Sequence, residues 1–168
     1  GSLIYTQFLN DQGGVESDVT IGRLGHDHFR IITGTSSLSI DQGWLIRHQP
    51  GDGSVVIEDI TLRYACLSLW GPLSRDVRAR LTEDDVSQVG CPYMTTCDLA
   101  LAGAMVRANR VSFSGELGYE LYPHRDDALC LWNALMEAGG SYDIRPAGYK
   151  AIDSLRLEKD YLVWGSDI

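Results

Sequence analysis

At 168 residues, with 44% hydrophobic and 22% charged residues, the chain is long enough to bury one core and too apolar to stay disordered. A formal charge of −9 repels polyphosphate and argues against a nucleic-acid partner, and no apolar run of membrane-spanning length and no secretory leader pattern is present, so a cytoplasmic protein with no membrane partner is expected. Cys66, Cys91, Cys97 and Cys130 form no C-x-x-C pair and stand near no His-x-x-x-His, so they read as four reduced structural thiols with no metal among them.

In chain order, Tyr5–Leu9, Val15–Leu24 and His28–Thr33 are rich in β-branched and aromatic residues and are broken by Gly13-Gly14 and by Gly25 to Asp27, which predicts a three-stranded meander. Ser39–His48 reads as a helix with Ile40, Trp44, Leu45 and His48 on one face. Val55–Ile60 and Tyr64–Trp70 read as strands, and Pro72 opens a helix through Leu81. The run Arg75, Arg78, Arg80 on that helix reads as a solvated face. Strands follow at Met94–Ala102, Ala104–Phe113 and Tyr119–Tyr122. A helix over Asp126–Ala138 stops at Gly139-Gly140, and a last helix starts at Pro146 or Gly148 and runs through Leu157. Irregularly interspersed helices and adjacent antiparallel strands predict an α+β fold with an antiparallel or mixed sheet and packed helices, and the absence of an internal linker predicts a single domain over 1–168.

Several familiar motifs fail. Gly51-x-Gly53 lacks the third glycine and the strand-turn-helix setting of a dinucleotide fingerprint, and no phosphate-binding loop of the Walker type exists. Val111 stands where a serine-hydrolase elbow before Ser112 needs glycine. His26, His28, His48 and His124 lack ligand-like spacing and read as surface residues.

Three segments carry more. Tyr5-Thr6-Gln7 with Gly13 to Asp18, the run Arg110-Val-Ser-Phe-Ser-Gly-Glu-Leu-Gly-Tyr-Glu120-Leu121, and Asp153-Ser-Leu-Arg-Leu-Glu-Lys159 resemble, in order and spacing, the signature blocks of the glycine cleavage T-protein (aminomethyltransferase) superfamily. Trp70 to Asp76 and Trp164 to Ile168 resemble its dimethylglycine oxidase and sarcosine dehydrogenase branch. Members of that family extend past both ends of these residues, so the domain is expected to be incomplete at both ends.

The resemblance implies tetrahydrofolate as cofactor and a role for five residues. Asp18 falls where the family has a catalytic aspartate beside N5 of the folate. A carboxylate suits that place, because positive charge on nitrogen during one-carbon transfer is stabilised by a fixed anion. Glu120 matches the glutamate that grips the pterin, whose flat N–H pair one carboxylate can accept bidentately; as a strand residue it can equally be the outward neighbour of inward-facing Tyr119 and Leu121. Arg156 either meets a carboxylate of the folate tail, locks Asp or Glu residues of the site, or makes a structural pair with Asp153 or Glu158. Tyr5 either lines the same cavity or packs within its strand. Phe113 stands where the family usually has tyrosine, which keeps a ring for stacking and loses a hydroxyl, and Thr33 to Ser36 replace a polar asparagine region.

The function implied is a tetrahydrofolate-binding one-carbon transfer domain acting on an N-methyl or aminomethyl donor. Its partners would be a flavin amine dehydrogenase domain or subunit, or a lipoyl carrier protein. The alternative is a catalytically inactive shortened scaffold, a folate-binding or protein-interaction module whose exposed apolar surface a homo-oligomer would hide. A third reading is a folate-linked regulatory or repair protein.

Overall fold

Two antiparallel sheets, of three and four strands, organise the computed structural model, which describes residues 1–168. The chain divides into two units, Ser2–Ile60 and Thr61–Ile168 with Gly1.

In the first unit, β1 (Ser2–Leu9), β2 (Val15–Arg23) and β3 (Phe29–Ile32) form the expected meander in the order β1-β2-β3. Asn10 closes the first hairpin. Its side-chain oxygen accepts from the amides of Gln12 and Gly14 at 3.0 and 2.9 Å, and its side-chain amide donates to Glu16 at 2.8 Å. Gly13 supplies the left-handed φ of +79° that the turn requires. Helix α1 spans Leu38–Arg47, but its buried residue is not on the expected face. Ile40 is 61% exposed, whereas Asp41 is 1% exposed, because Thr33 Oγ1 donates to the Asp41 carboxylate and also lies 3.0 Å from Ser37 Oγ. Thr33 thus begins a half-buried polar cluster with Ser37 and Asp41, and a hydrogen-bonded carboxylate displaces isoleucine from the inside. Val55–Ile60 is not a strand. No other strand pairs with it, Val56 is 87% exposed, and the Val55 carbonyl accepts from Gln49 Nε2 at 2.6 Å; without a ladder, β-branched residues do not make a strand.

In the second unit, β4 (Leu67–Trp70), β5 (Thr96–Leu101), β6 (Ala104–Asn109) and β7 (Gly118–Pro123) form a sheet in the order β4-β7-β6-β5. Helices α2 (Ser74–Ala79), α3 (Ala128–Gly139) and α4 (Tyr149–Leu157) complete it. Alternation sorts β7 into two faces. Tyr119 and Leu121 are fully buried and join Leu69, Leu99, Val106, Val77 of α2 and Leu131 and Leu135 of α3 in one core. Gly118, Glu120 and Tyr122 point to the other face. Gly118 lies opposite Trp70, and a Cβ there would run into the indole ring and Ser112, so only glycine fits beside this tryptophan.

Arg78 departs from the expected solvated face. It is fully buried, with its guanidinium 3.7 Å from the centre of the Tyr119 ring and Nη2 donating to the Val86 carbonyl at 3.1 Å. A planar, weakly hydrated cation stacks on an aromatic face with less loss of solvation than an ammonium, and burial lowers its pKa from the usual arginine value. The reading of four reduced thiols is also corrected. Cys91 and Cys97 form a disulfide across a Cα separation of 6.2 Å, within bridging range, while Cys66 and Cys130 are free. Spacing alone misses this pair, since the loop into β5 brings the two together.

The outer edge of β5 is covered. Thr96 N–H donates to the Gly1 carbonyl at 3.1 Å, Ala100 N–H to Asp84 Oδ2 at 2.8 Å, and Ala102 N–H to the Leu81 carbonyl at 2.9 Å.

Candidate functional site

Tyr5 and Asp18 come from adjacent strands of one hairpin. Gln7 lies opposite Asp18 and Tyr5 opposite Thr20, so Tyr5 and Asp18 are diagonal neighbours on one face. The Tyr5 hydroxyl donates to Asp18 Oδ2 at 2.7 Å. Desolvation by surrounding atoms, followed by the Asp18 hydrogen bond and charge, pushes the Tyr5 phenol up to about 12. The phenol therefore stays neutral and keeps its donor hydrogen for Asp18 across the ordinary pH range. An anion held in this way can stabilise a cation brought against it.

Glu120 sits in the middle of the four-stranded sheet, opposite Ser68 of β4 and Asn109 of β6. It is half-buried, and its Oε2 accepts from the Tyr122 hydroxyl at 2.7 Å. Burial raises the Glu120 carboxyl above its ordinary value, and the bond from Tyr122 opposes that rise. Burial first, then the Glu120 charge, also pushes the Tyr122 phenol upward. The Cys66 thiol belongs to the same group, and desolvation first, then the Glu120 charge, push it up to about 11. On the next strand, Arg107 lies opposite Tyr122 and pairs bidentately with Asp98 at 2.8 and 2.7 Å. Tyr122 and Cys66 were not singled out in the sequence. The signal for Tyr122 was there, since a residue two places from Glu120 on a strand must share its face.

Arg156 is 4% exposed and its donors are taken up within its own unit. Nε donates to Asp153 Oδ1 at 2.8 Å, Nη2 pairs with the same oxygen at 2.6 Å, and Nη1 donates to the Tyr161 carbonyl at 2.9 Å and to Asp167. The partners are thus Asp153, one of the two named structural alternatives, and Asp167, which the sequence did not single out by number. Phe113 is 38% exposed and stacks on Tyr161 at 6.0 Å between ring centroids. Arg156 and Phe113 are therefore linked through Tyr161. Beside them, a cavity of about 300 Å³ is lined by Tyr93, Arg110, Ser112, Glu116 and Tyr161 among others. Tyr5 and Asp18 belong to the first unit, and Glu120, Phe113 and Arg156 to the second.

All four histidines are exposed, and no group of three or more His, Cys, Asp or Glu side chains is placed to hold a metal. No helix is long and apolar enough to cross a membrane.

The chain is 40% identical over 165 residues to the 4-methylaminobutanoate oxidase (formaldehyde-forming) of Paenarthrobacter nicotinovorans, covering 98% of this chain and 20% of that protein. It is 36% identical over 168 residues to an aminomethyltransferase of Halothermothrix orenii, covering all of this chain and 46% of that protein. The chain thus spans from a fifth to just under half the length of these curated relatives. Among solved structures, the heterotetrameric sarcosine oxidase from Corynebacterium sp. U-96 in complex with pyrrole 2-carboxylate shares the α+β fold with a TM-score of 0.59 at 20% identity, over 81% of this chain and 66% of that one. The whole of residues 1–168 matches the GCVT N-terminal domain, and the chain belongs to that family.

Proposed function

We propose that this chain is the tetrahydrofolate-binding part of a one-carbon transferase that takes an aminomethyl or methylene unit from an N-methyl or aminomethyl donor. The observation that carries the reading is Glu120, a half-buried carboxylate in mid-sheet whose single hydrogen bond, from Tyr122, leaves acceptor capacity for a flat N–H pair. The Tyr5–Asp18 pair supplies the second requirement, a fixed anion for positive charge developing on nitrogen. Phe113 would add ring surface for stacking. Arg156 would act by holding Asp153, Asp167 and the Tyr161 segment in place beside the folate, since its own donors are already committed.

A flavin amine dehydrogenase domain or subunit is the partner we propose as the source of the oxidised donor, and a lipoyl carrier protein is the alternative source. The 4-methylaminobutanoate oxidase relative favours the first.

Titration calorimetry of folinic acid, a stable reduced folate, into the full chain beside Glu120→Ala tests the proposal. Micromolar binding that the substitution abolishes is expected. Equal heats from the two proteins would overturn Glu120 as the residue that holds the folate, and no heat from either would overturn folate binding itself in favour of a scaffold that has left folate chemistry.

A further inference from the structure

The face of the four-stranded sheet opposite the core carries a connected polar group: Glu120 and Tyr122 on β7, Ser68 on β4 with Cys66 just before it, and Asn109 and Arg107 on β6. Glu120 and Tyr122 project on one side because they are two residues apart on a strand. An ionised carboxylate has two lone pairs on each oxygen. A half-buried carboxylate on a flexible side chain has several rotamers, and a ligand that needs two parallel acceptors must freeze one of them.

We propose that Tyr122 is a positioning residue for Glu120: its hydroxyl, 2.7 Å from Oε2, occupies one lone pair, fixes the carboxylate plane, and leaves one lone pair on Oε2 and both on Oε1 for a ligand with two parallel N–H donors. This rests on the reading of Glu120 as the residue that holds a flat heterocycle. A phenol is well suited to the task. It donates one hydrogen along a rigid ring, so it orients the acceptor without adding a charge that would compete with the ligand.

The same bond has a second consequence. Burial favours the protonated form of Glu120, and a donor aimed at the ionised form works against that. The other titratable or charged groups facing this pair are Cys66 from the β4 side and Arg107 from β6, the latter paired with Asp98. Helix α2 packs on the opposite face, where its Arg78 meets Tyr119. Tyr122 is therefore a donor that favours the form of Glu120 with two acceptor oxygens, whereas a protonated carboxyl would present one hydroxyl hydrogen and repel one ligand N–H.

The experiment is calorimetric titration of folinic acid into the full chain from pH 5.5 to 8.5, using wild type, Glu120→Gln, Tyr122→Phe and Cys66→Ala. Tyr122→Phe keeps the ring and its packing, so loss of fold is not expected, and a melting curve for each variant checks this. The expected result is that Tyr122→Phe weakens binding about tenfold at pH 7.5 and moves the acid limb of the binding profile to higher pH, while Cys66→Ala binds as wild type does. If Glu120→Gln weakens binding but Tyr122→Phe keeps wild-type affinity and an unmoved acid limb, the positioning role is overturned and the reading of Glu120 stands. If Cys66→Ala weakens binding as much as Tyr122→Phe, packing of the group rather than this bond is responsible, and the positioning role falls. If Glu120→Gln itself binds unchanged, both readings fail together.

Discussion

The Tyr5 hydroxyl donates to the Asp18 carboxylate at 2.7 Å across the first hairpin, tying the two first-unit residues implicated in chemistry into one unit. On the proposed function, Asp18→Asn removes the anion that faces the developing cation and lowers kcat of folate-dependent transfer about 10²-fold or more. Tyr5→Phe leaves the anion and removes its positioning bond, with an expected loss of about tenfold. Steady-state kinetics with KM reported separately checks both. Ultraviolet titration gives an independent readout. The Tyr5 phenol ionises at about 12 in the wild type, and Asp18→Asn brings it down toward the ordinary value of 10 without reaching it, because desolvation is the larger cause.

Glu120 links folding to pH. Burial raises its folded carboxyl above the unfolded value of 4.5, so the folded state binds a proton more readily than the unfolded chain. The stabilising contribution of that proton is fully present below pH 4.5 and is lost as pH rises through the raised folded value. Above that raised value the ionised, half-buried carboxylate opposes folding of the ligand-free protein. Glu120→Gln should raise the melting temperature at pH 8, and the gain should shrink as the pH approaches 4.5. Paired melting curves across that range check this; a gain that grows toward acid would contradict it.

The thiols divide by environment. A disulfide reagent at pH 8 should label Cys130 first and Cys66 slowly, since a thiol held at about 11 is thiolate in roughly one molecule in a thousand. Cys91 and Cys97 should label only after reduction. Closing so short a loop constrains the unfolded chain by about 2 kcal/mol, and the shift in denaturation midpoint on reduction measures that.

Arg78 holds the underside of β7. Arg78→Ala removes a fully buried side chain from beneath the Tyr119 ring and the bond to the Val86 carbonyl. Together these cost about 3 kcal/mol. Arg78→Lys should recover only part of this, because an ammonium is more strongly hydrated and does not stack. Urea unfolding of the two variants beside wild type reads the difference.

Periodicity revealed most of the secondary structure, and its failures share a cause. Where apolar alternation met a partner strand, as in β1 to β3 and β5 to β7, the reading held. Val55–Ile60 has the composition of a strand, yet pairing is a tertiary property that composition does not carry. Asp41 and Arg78 were missed for a related reason. A charged residue on a helix reads as solvated until its partner is known, here Thr33 in one case and the Tyr119 ring in the other. Among the site residues, the alternation of β7 anticipated Tyr119 and Leu121 inside and Glu120 on the opposite face. The commitments of Arg156 to Asp167 and Tyr161 depend on how the last residues fold back, which no local pattern encodes.

The covered margin of β5 bears on how copies of this protein meet. An open strand edge is an invitation to add another strand from a neighbouring molecule. Here the amides of Thr96, Ala100 and Ala102 already donate to Gly1, Asp84 and Leu81, so the sheet ends where β5 does. A second chain could extend it there only by first evicting the Asp84 carboxylate and the Leu81 carbonyl. The protein thus carries its own stopper against runaway stacking on that flank, built from an acidic loop that the composition alone presents as nothing more than surface charge.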